Sequence, residues 1–140
     1  MLEITIEELE KIKTDAEIED FIQRYCERVP TLSDVINSWL ADDRVTPAEL
    51  MQRSSINRNY GYNIINGKRL HPGRDKVIAL CIAARLSVHE TQEALAVAKV
   101  GMLYHRDERD VRIIGALNNR IGDVMKVNLM LSEHGLEPLE

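Results

Sequence analysis

Residues 46–69 read TPAELMQRSSINRNYGYNIINGKR, and this stretch decides the fold. Thr46, Pro47 and Glu49 combine an N-cap hydroxyl, a proline whose missing N–H is no loss in a first turn, and a carboxylate able to reach back to the cap. A helix therefore starts at Pro47. It is short, because Ser54 and Ser55 offer the backbone competing hydrogen bonds, and Asn57 then caps a second helix carrying Arg58, Asn59, Tyr60, Tyr62 and Asn63. Gly67 ends it. Two helices joined by about three residues cannot lie antiparallel and must cross steeply, which leaves one face of the second helix exposed. The pattern is a helix-turn-helix.

Helical periodicity continues on both sides. Leu32, Val35, Ile36, Trp39 and Leu40 recur at helical spacing after Thr31 or Ser33, with Trp39 as a core anchor. Val77, Ile78, Leu80, Cys81 and Ile82, between about Asp75 and Arg85, form a helix apolar enough to be central. Ser87 and Glu90 make another capping box, opening a helix that turns Ala94, Leu95 and Val97 to the core. No segment shows strand-type alternation.

These five helices, over residues 32–98, resemble the Cro/lambda-repressor-like (XRE) family of helix-turn-helix regulators. The most specific parts are Thr46 with Leu50, the turn into Asn57, and the stop from Ile64 to Gly67. The resemblance implies a recognition helix over 57–63 whose base-reading positions fall on Arg58, Asn59 and Asn63, with Tyr60 and Tyr62 nearby. Those residue types suit the role, since arginine matches guanine O6 and N7 and asparagine matches adenine N6 and N7. The chain departs from the family pattern at Met51, where a small residue is usual, at Gly61, where an aliphatic is usual, and at Ile65, a glutamate position. One reading is that Met51 fills the volume Gly61 leaves empty. The other is that Gly61 simply weakens the helix by about 1 kcal/mol relative to alanine.

Charge follows the same segmentation. The chain carries a net −5, but residues 1–27 hold nine acids against three bases and residues 53–76 hold one acid against six bases. Positive charge is thus concentrated where the motif expects phosphates. Arg53, Lys68, Arg69, Arg74 and Lys76, with the helix N-terminal residues Thr46 and Asn57, are the expected phosphate contacts.

Beyond Lys99 the chain repeats itself. Arg74-Asp75 followed by Ile78, Ile82, Arg85 and Leu86 recurs as Arg109-Asp110 followed by Ile113, Leu117, Arg120 and Ile121, an offset of 35; with one residue inserted, Leu95 matches Leu131, Val100 matches Leu136 and Leu103 matches Leu139. A helical hairpin is expected at about 107–134, docked on the first or forming a dimer seam. The charged row from His105 to Asp110 reads as an exposed connector. At the other end, Thr14 and Glu17 form a capping box before Ile18, Phe21, Ile22 and Tyr25, and Thr5 opens a shorter turn with Leu9 and Ile12. The stripe of this acidic extension is expected to pack on the rest of the chain; the alternative is that this strongly negative helix binds a partner protein or lies over the basic surface when DNA is absent.

The expected organisation is all-α: an acidic N-terminal extension over 1–30, a lambda-repressor-like five-helix domain over 31–103 and a C-terminal helical hairpin over 104–140. A hydrophobic content of 44% suffices for a folded core, and the absence of any long apolar run argues against a membrane span. The amino terminus lacks a signal-peptide layout, so a cytoplasmic protein is expected. Cys26 and Cys81 both lie in apolar-periodic segments and are expected to be buried, reduced thiols. No enzyme, metal site or cofactor is expected: His71, His89, His105 and His134 show no metal-ligand spacing, and no glycine-rich phosphate loop follows a strand. His105-Arg106-Asp107 has the start of a kinase catalytic loop, but Arg112 stands where that loop needs asparagine. The reading is a sequence-specific regulator binding double-stranded DNA as a homodimer. The alternative is an antitoxin-like or adaptor module that binds a partner protein through the acidic arm or the hairpin.

Overall fold

The computed structural model describes residues 4–26 and 29–140, which form nine helices and no strand. They are α1 (Ile6–Glu10), α2 (Asp15–Tyr25), α3 (Leu32–Ala41), α4 (Pro47–Ser54), α5 (Arg58–Ile65), α6 (Arg74–Ala83), α7 (Val88–Val97), α8 (Glu108–Asn118) and α9 (Val124–Glu133). Local chemistry sets the starts. Thr14, Thr31, Thr46 and Ser87 each accept from the N3 backbone while the N3 carboxylate reaches back to the cap, so α2, α3, α4 and α7 all open on complete capping boxes. None of the described helices is long and apolar enough to cross a membrane.

The core is organised around α6, in which every residue from Val77 to Ala83 is buried. A helix apolar all round must be covered all round. Helix α4 lies along it, α7 folds back on it and α9 closes a further side; α3 packs on α5 and α7, and α8 on α7 and α9. One continuous apolar cluster runs from Leu32 through Trp39, Leu50 and Ile64 to Leu131 and Leu139. The C-terminal hairpin therefore docks within the same molecule and shares the core of the helix-turn-helix.

The repeat is physical as well as sequential. Arg74 donates to the Gly101 and Met102 carbonyls and to Asp110 at 2.8 Å, while Arg109 donates to the Glu137 and Pro138 carbonyls and to Asp75 at 3.0 Å. Residue i of one unit thus meets residue j of the other, and j meets i, the signature of an isologous pairing. The tails repeat the scheme. Gln92 brackets the Leu103 backbone through both its amide groups, and Asn128 does the same to Leu139. Burial alone would push the Asp75 carboxyl up, but the hydrogen bond from Arg109 and that from the Glu140 amide hold it below its ordinary value.

Three expectations are corrected. The exposed connector ends at Asp107, because Arg109 and Asp110 turn inward and Asp110 is buried with Arg74 and the Tyr104 amide on its carboxylate. Cys81 is buried as expected, but Cys26 is exposed. The acidic extension does not bury its stripe: no residue of α1 or α2 is buried. The expectation assumed that an apolar stripe at helical spacing has a partner within its own chain.

Candidate nucleic-acid interface

The two helices of the motif form as their sequence dictates. Helix α4 starts at Pro47 behind the Thr46 cap and stops at Ser54, whose hydroxyl donates to the Met51 carbonyl and accepts from the Ile56 amide. Ser55 then takes the left-handed conformation at φ 58°, and Asn57 caps α5 by accepting from the Asn59 and Tyr60 amides. The hydrogen bond from the Thr46 backbone, with that from its side chain, lowers the Glu49 carboxyl below its ordinary range.

Helix α5 is held at both ends and along its inner face. Its inner residues Gly61 and Ile64 are buried. At the C-terminal end, the Ile65 carbonyl accepts from the Ser33 hydroxyl at 2.6 Å and the Asn37 amide at 2.9 Å, both on α3. An orphan helix-end carbonyl is thereby satisfied by a neighbouring element, which ties the direction of α5 to α3. Ser33 and Asn37 were not legible as positioning residues, since their partner lies about 30 residues away and Ser33 reads locally as a cap. Gly67, at φ +82°, turns the chain out directly beneath.

Glycine at position 61 has a steric cause. A β-carbon there would overlap the Met51 sulfur, lie 2.7 Å from its methyl carbon and stand 3.6 Å from Ile56 Cγ2. Met51 therefore occupies the space a side chain at 61 would need, in keeping with the constant packing density of interiors.

The outer face carries the polar set. Arg58 and Asn59 are exposed on the first turn of α5, and the Arg58 guanidinium lies 5.6 Å from the Tyr62 ring centre. Asn63 is half-buried on the rim of a shallow depression that Lys68, Arg69, Leu70 and His71 complete. Tyr60 packs against the core, with the Arg69 guanidinium 4.4 Å and the Lys76 ammonium 5.6 Å from its ring centre. Its ring thus supports two cations, each held near a π-face. The exposed hydroxyl of Thr46 and the amide of Asn57 stand at the two helix N-termini.

Among the described residues no ion pair engages Arg58, Lys68, Arg69 or Lys76. Two other expected phosphate contacts turn inward. Arg53 donates to Glu49 at 2.6 Å and to the Ala83 carbonyl at 3.4 Å, and Arg74 is spent on Gly101, Met102 and Asp110. Charge counting could not separate these structural arginines from the outward ones; the Arg74 repeat at Arg109 was the available signal.

Comparison with protein-family models, with curated proteins and with solved structures gives no match.

Proposed function

We propose that the chain is a sequence-specific, double-stranded DNA-binding regulator of Cro/lambda-repressor-like architecture, with α3 to α7 as its five-helix domain. In this reading α5 enters the major groove, Arg58, Asn59 and Asn63 read base edges, and Tyr62 flanks them. Lys68, Arg69 and Lys76 meet phosphates, with Tyr60 holding two of them in place, while Thr46 and Asn57 present helix N-termini to the backbone. The protein acts as a homodimer on half-sites about one helical turn apart. The observation that carries the reading is α5 itself: a short helix anchored at both ends, exposing arginine and asparagine beside cations that no ion pair engages among the described residues.

The test is selection of bound sequences from a random DNA pool, followed by titration of the selected site and of random DNA over a range of salt. Affinity should fall steeply with salt, log K against log salt having a slope of roughly −0.9 per phosphate contacted. Arg58→Ala should flatten base preference, whereas Lys68→Ala should weaken all sequences alike. No enrichment from the pool, or salt-independent retention, would remove the proposal and favour the protein-interaction alternative.

A further inference from the structure

The segment after α5 reads NGKRLHPG over residues 66–73, with Lys68, Arg69 and His71 close together. Its backbone is tied down at several points. The Lys68 amide donates to the Asn66 side-chain oxygen at 3.0 Å, the Arg69 amide donates to the Asn63 carbonyl at 2.8 Å, and Pro72 is buried. Pro72 also restricts His71, the residue before it, to extended backbone. Basic side chains are therefore presented from a fixed frame, and they converge. Lys68, Arg69 and His71, with Leu70 and with Asn63 of α5, line one open depression of about 280 Å³. A small-molecule site takes roughly 300–1,000 Å³ and is mostly apolar, so a depression of this size, with three basic residues among its five, suits a single negative group.

Among the described residues the Lys68 ammonium and the His71 imidazole make no hydrogen bond or ion pair, and the Arg69 guanidinium meets the face of Tyr60. The charged groups on this surface share one sign: Lys68 and Arg69 lie beside His71, and Lys76 of α6 sits on the Tyr60 ring with Arg69. Helix α5 carries no carboxylate. The one on α6, Asp75, is held by Arg109, and the one on α3, Asp34, by the Thr31 backbone it caps. Such a lining takes an anion, and it takes it directly beside Asn63 on the outer face of α5.

We propose that the depression seats one backbone phosphate of the DNA, that His71 contacts it together with Lys68 and Arg69, and that binding takes up a proton at His71. The seat rests on the DNA-binding reading of α5 and adds to it a contact of a different kind. Lysine and arginine are charged throughout the physiological range, whereas histidine changes charge within it, and a phosphate in the seat favours the charged imidazole. A proton bound with the DNA makes affinity fall as pH rises.

The experiment is an anisotropy titration of the full chain on a fluorescein-labelled duplex of the site selected from the random pool, at fixed salt, from pH 6 to pH 8. The parent should bind about tenfold tighter at pH 6 than at pH 8, as one proton taken up across that window allows. His71→Gln, at an exposed position, should bind at the two ends within about twofold while keeping the same base preference, and His71→Lys should hold the tighter affinity throughout. A methylphosphonate, which removes the charge of one phosphate, placed at each phosphate of the site in turn should flatten the parent's profile at one position. A parent whose affinity is level across the window, a pH dependence that survives in His71→Gln, or a profile that no single methylphosphonate alters would overturn the seat, while selective, salt-sensitive binding left the role of α5 standing. A pool with no enriched site would remove both.

Discussion

The contact between Met51 and Gly61 makes the sharpest prediction, because it sets two known effects against each other at one point. Gly61→Ala removes a flexible residue from inside α5, worth about 1 kcal/mol in favour of the variant. The new methyl, however, lands on the Met51 sulfur and methyl carbon, the flexible end of a half-buried side chain that borders an open depression, and swinging it aside costs about 0.5–1.5 kcal/mol. The single variant should therefore lie within about 0.5 kcal/mol of the parent despite its better helix propensity. Met51→Ala empties a half-buried position against the core and should cost about 1–2 kcal/mol, below the range for a fully buried methionine. In the double variant the overlap is gone, the alanine methyl refills part of the void and the propensity gain remains. Its loss should be about 0–1 kcal/mol, giving a favourable coupling of about 1 kcal/mol in the double-mutant cycle. Urea unfolding followed by the fluorescence of buried Trp39, the sole tryptophan, reports all four proteins. Additivity within about 0.5 kcal/mol would show that the two residues do not share volume and would refute the argument.

Other consequences can be checked alongside. Arg74→Ala and Arg109→Ala, which remove matching halves of the reciprocal pairing, should each cost about 2–3 kcal/mol in urea unfolding, since each leaves a carboxylate and two carbonyls short of a donor; a large difference between them would contradict the repeat. The hydrogen bond from Arg44 holds the Glu90 carboxyl down at about 2, against the opposing pull of burial, with help from Ser87. Because the folded value is the lower one, this stabilisation is complete above about pH 4.5 and is lost as pH falls toward 2. With both side chains about one-third exposed it amounts to ~1 kcal/mol, and Arg44→Ala should flatten that limb of the stability–pH curve. Thiol reagents should modify Cys26 in the folded protein and spare Cys81, whose burial pushes its thiol up to about 12, until urea unfolds the chain; two equivalents reacting without denaturant would contradict the packing of α6.

What was legible in the sequence was local. Thr14, Thr31, Thr46 and Ser87 each carry a carboxylate three residues on, and such caps work through contacts within one turn, whatever the rest of the chain does. The hairpin repeat was also readable, because it is written as matching charged and aliphatic residues at an offset of 35 and, after one inserted residue, 36. Even the link from Met51 to Gly61 could be guessed from two exchanged volumes. Apart from Arg53, whose ion-pair partner Glu49 lies one turn back, the misread positions were charged or apolar residues whose partner is distant. Arg53 and Arg74 looked like two more cations in a basic stretch, and Arg109 and Asp110 like two more charges in a solvated row. Only the fold shows that Arg74 and Arg109 reach across to each other's unit. The α2 stripe failed for the opposite reason: periodicity states that a face is apolar and cannot state which surface covers it.

Helix α9 touches α4 as well as α6, so the carboxy-terminal hairpin helps wall in the first helix of the motif. The motif cannot then be excised as a minimal fragment in the way a bead is taken from a string. Truncation near residue 104 would strip solvent shielding from the faces of α4 and α6 that α9 covers and send a hydrophobic scar into water. Anything that loosens the hairpin, whether a ligand, a protease or a mutation, would be felt first at α4, the helix that precedes the proposed reading head.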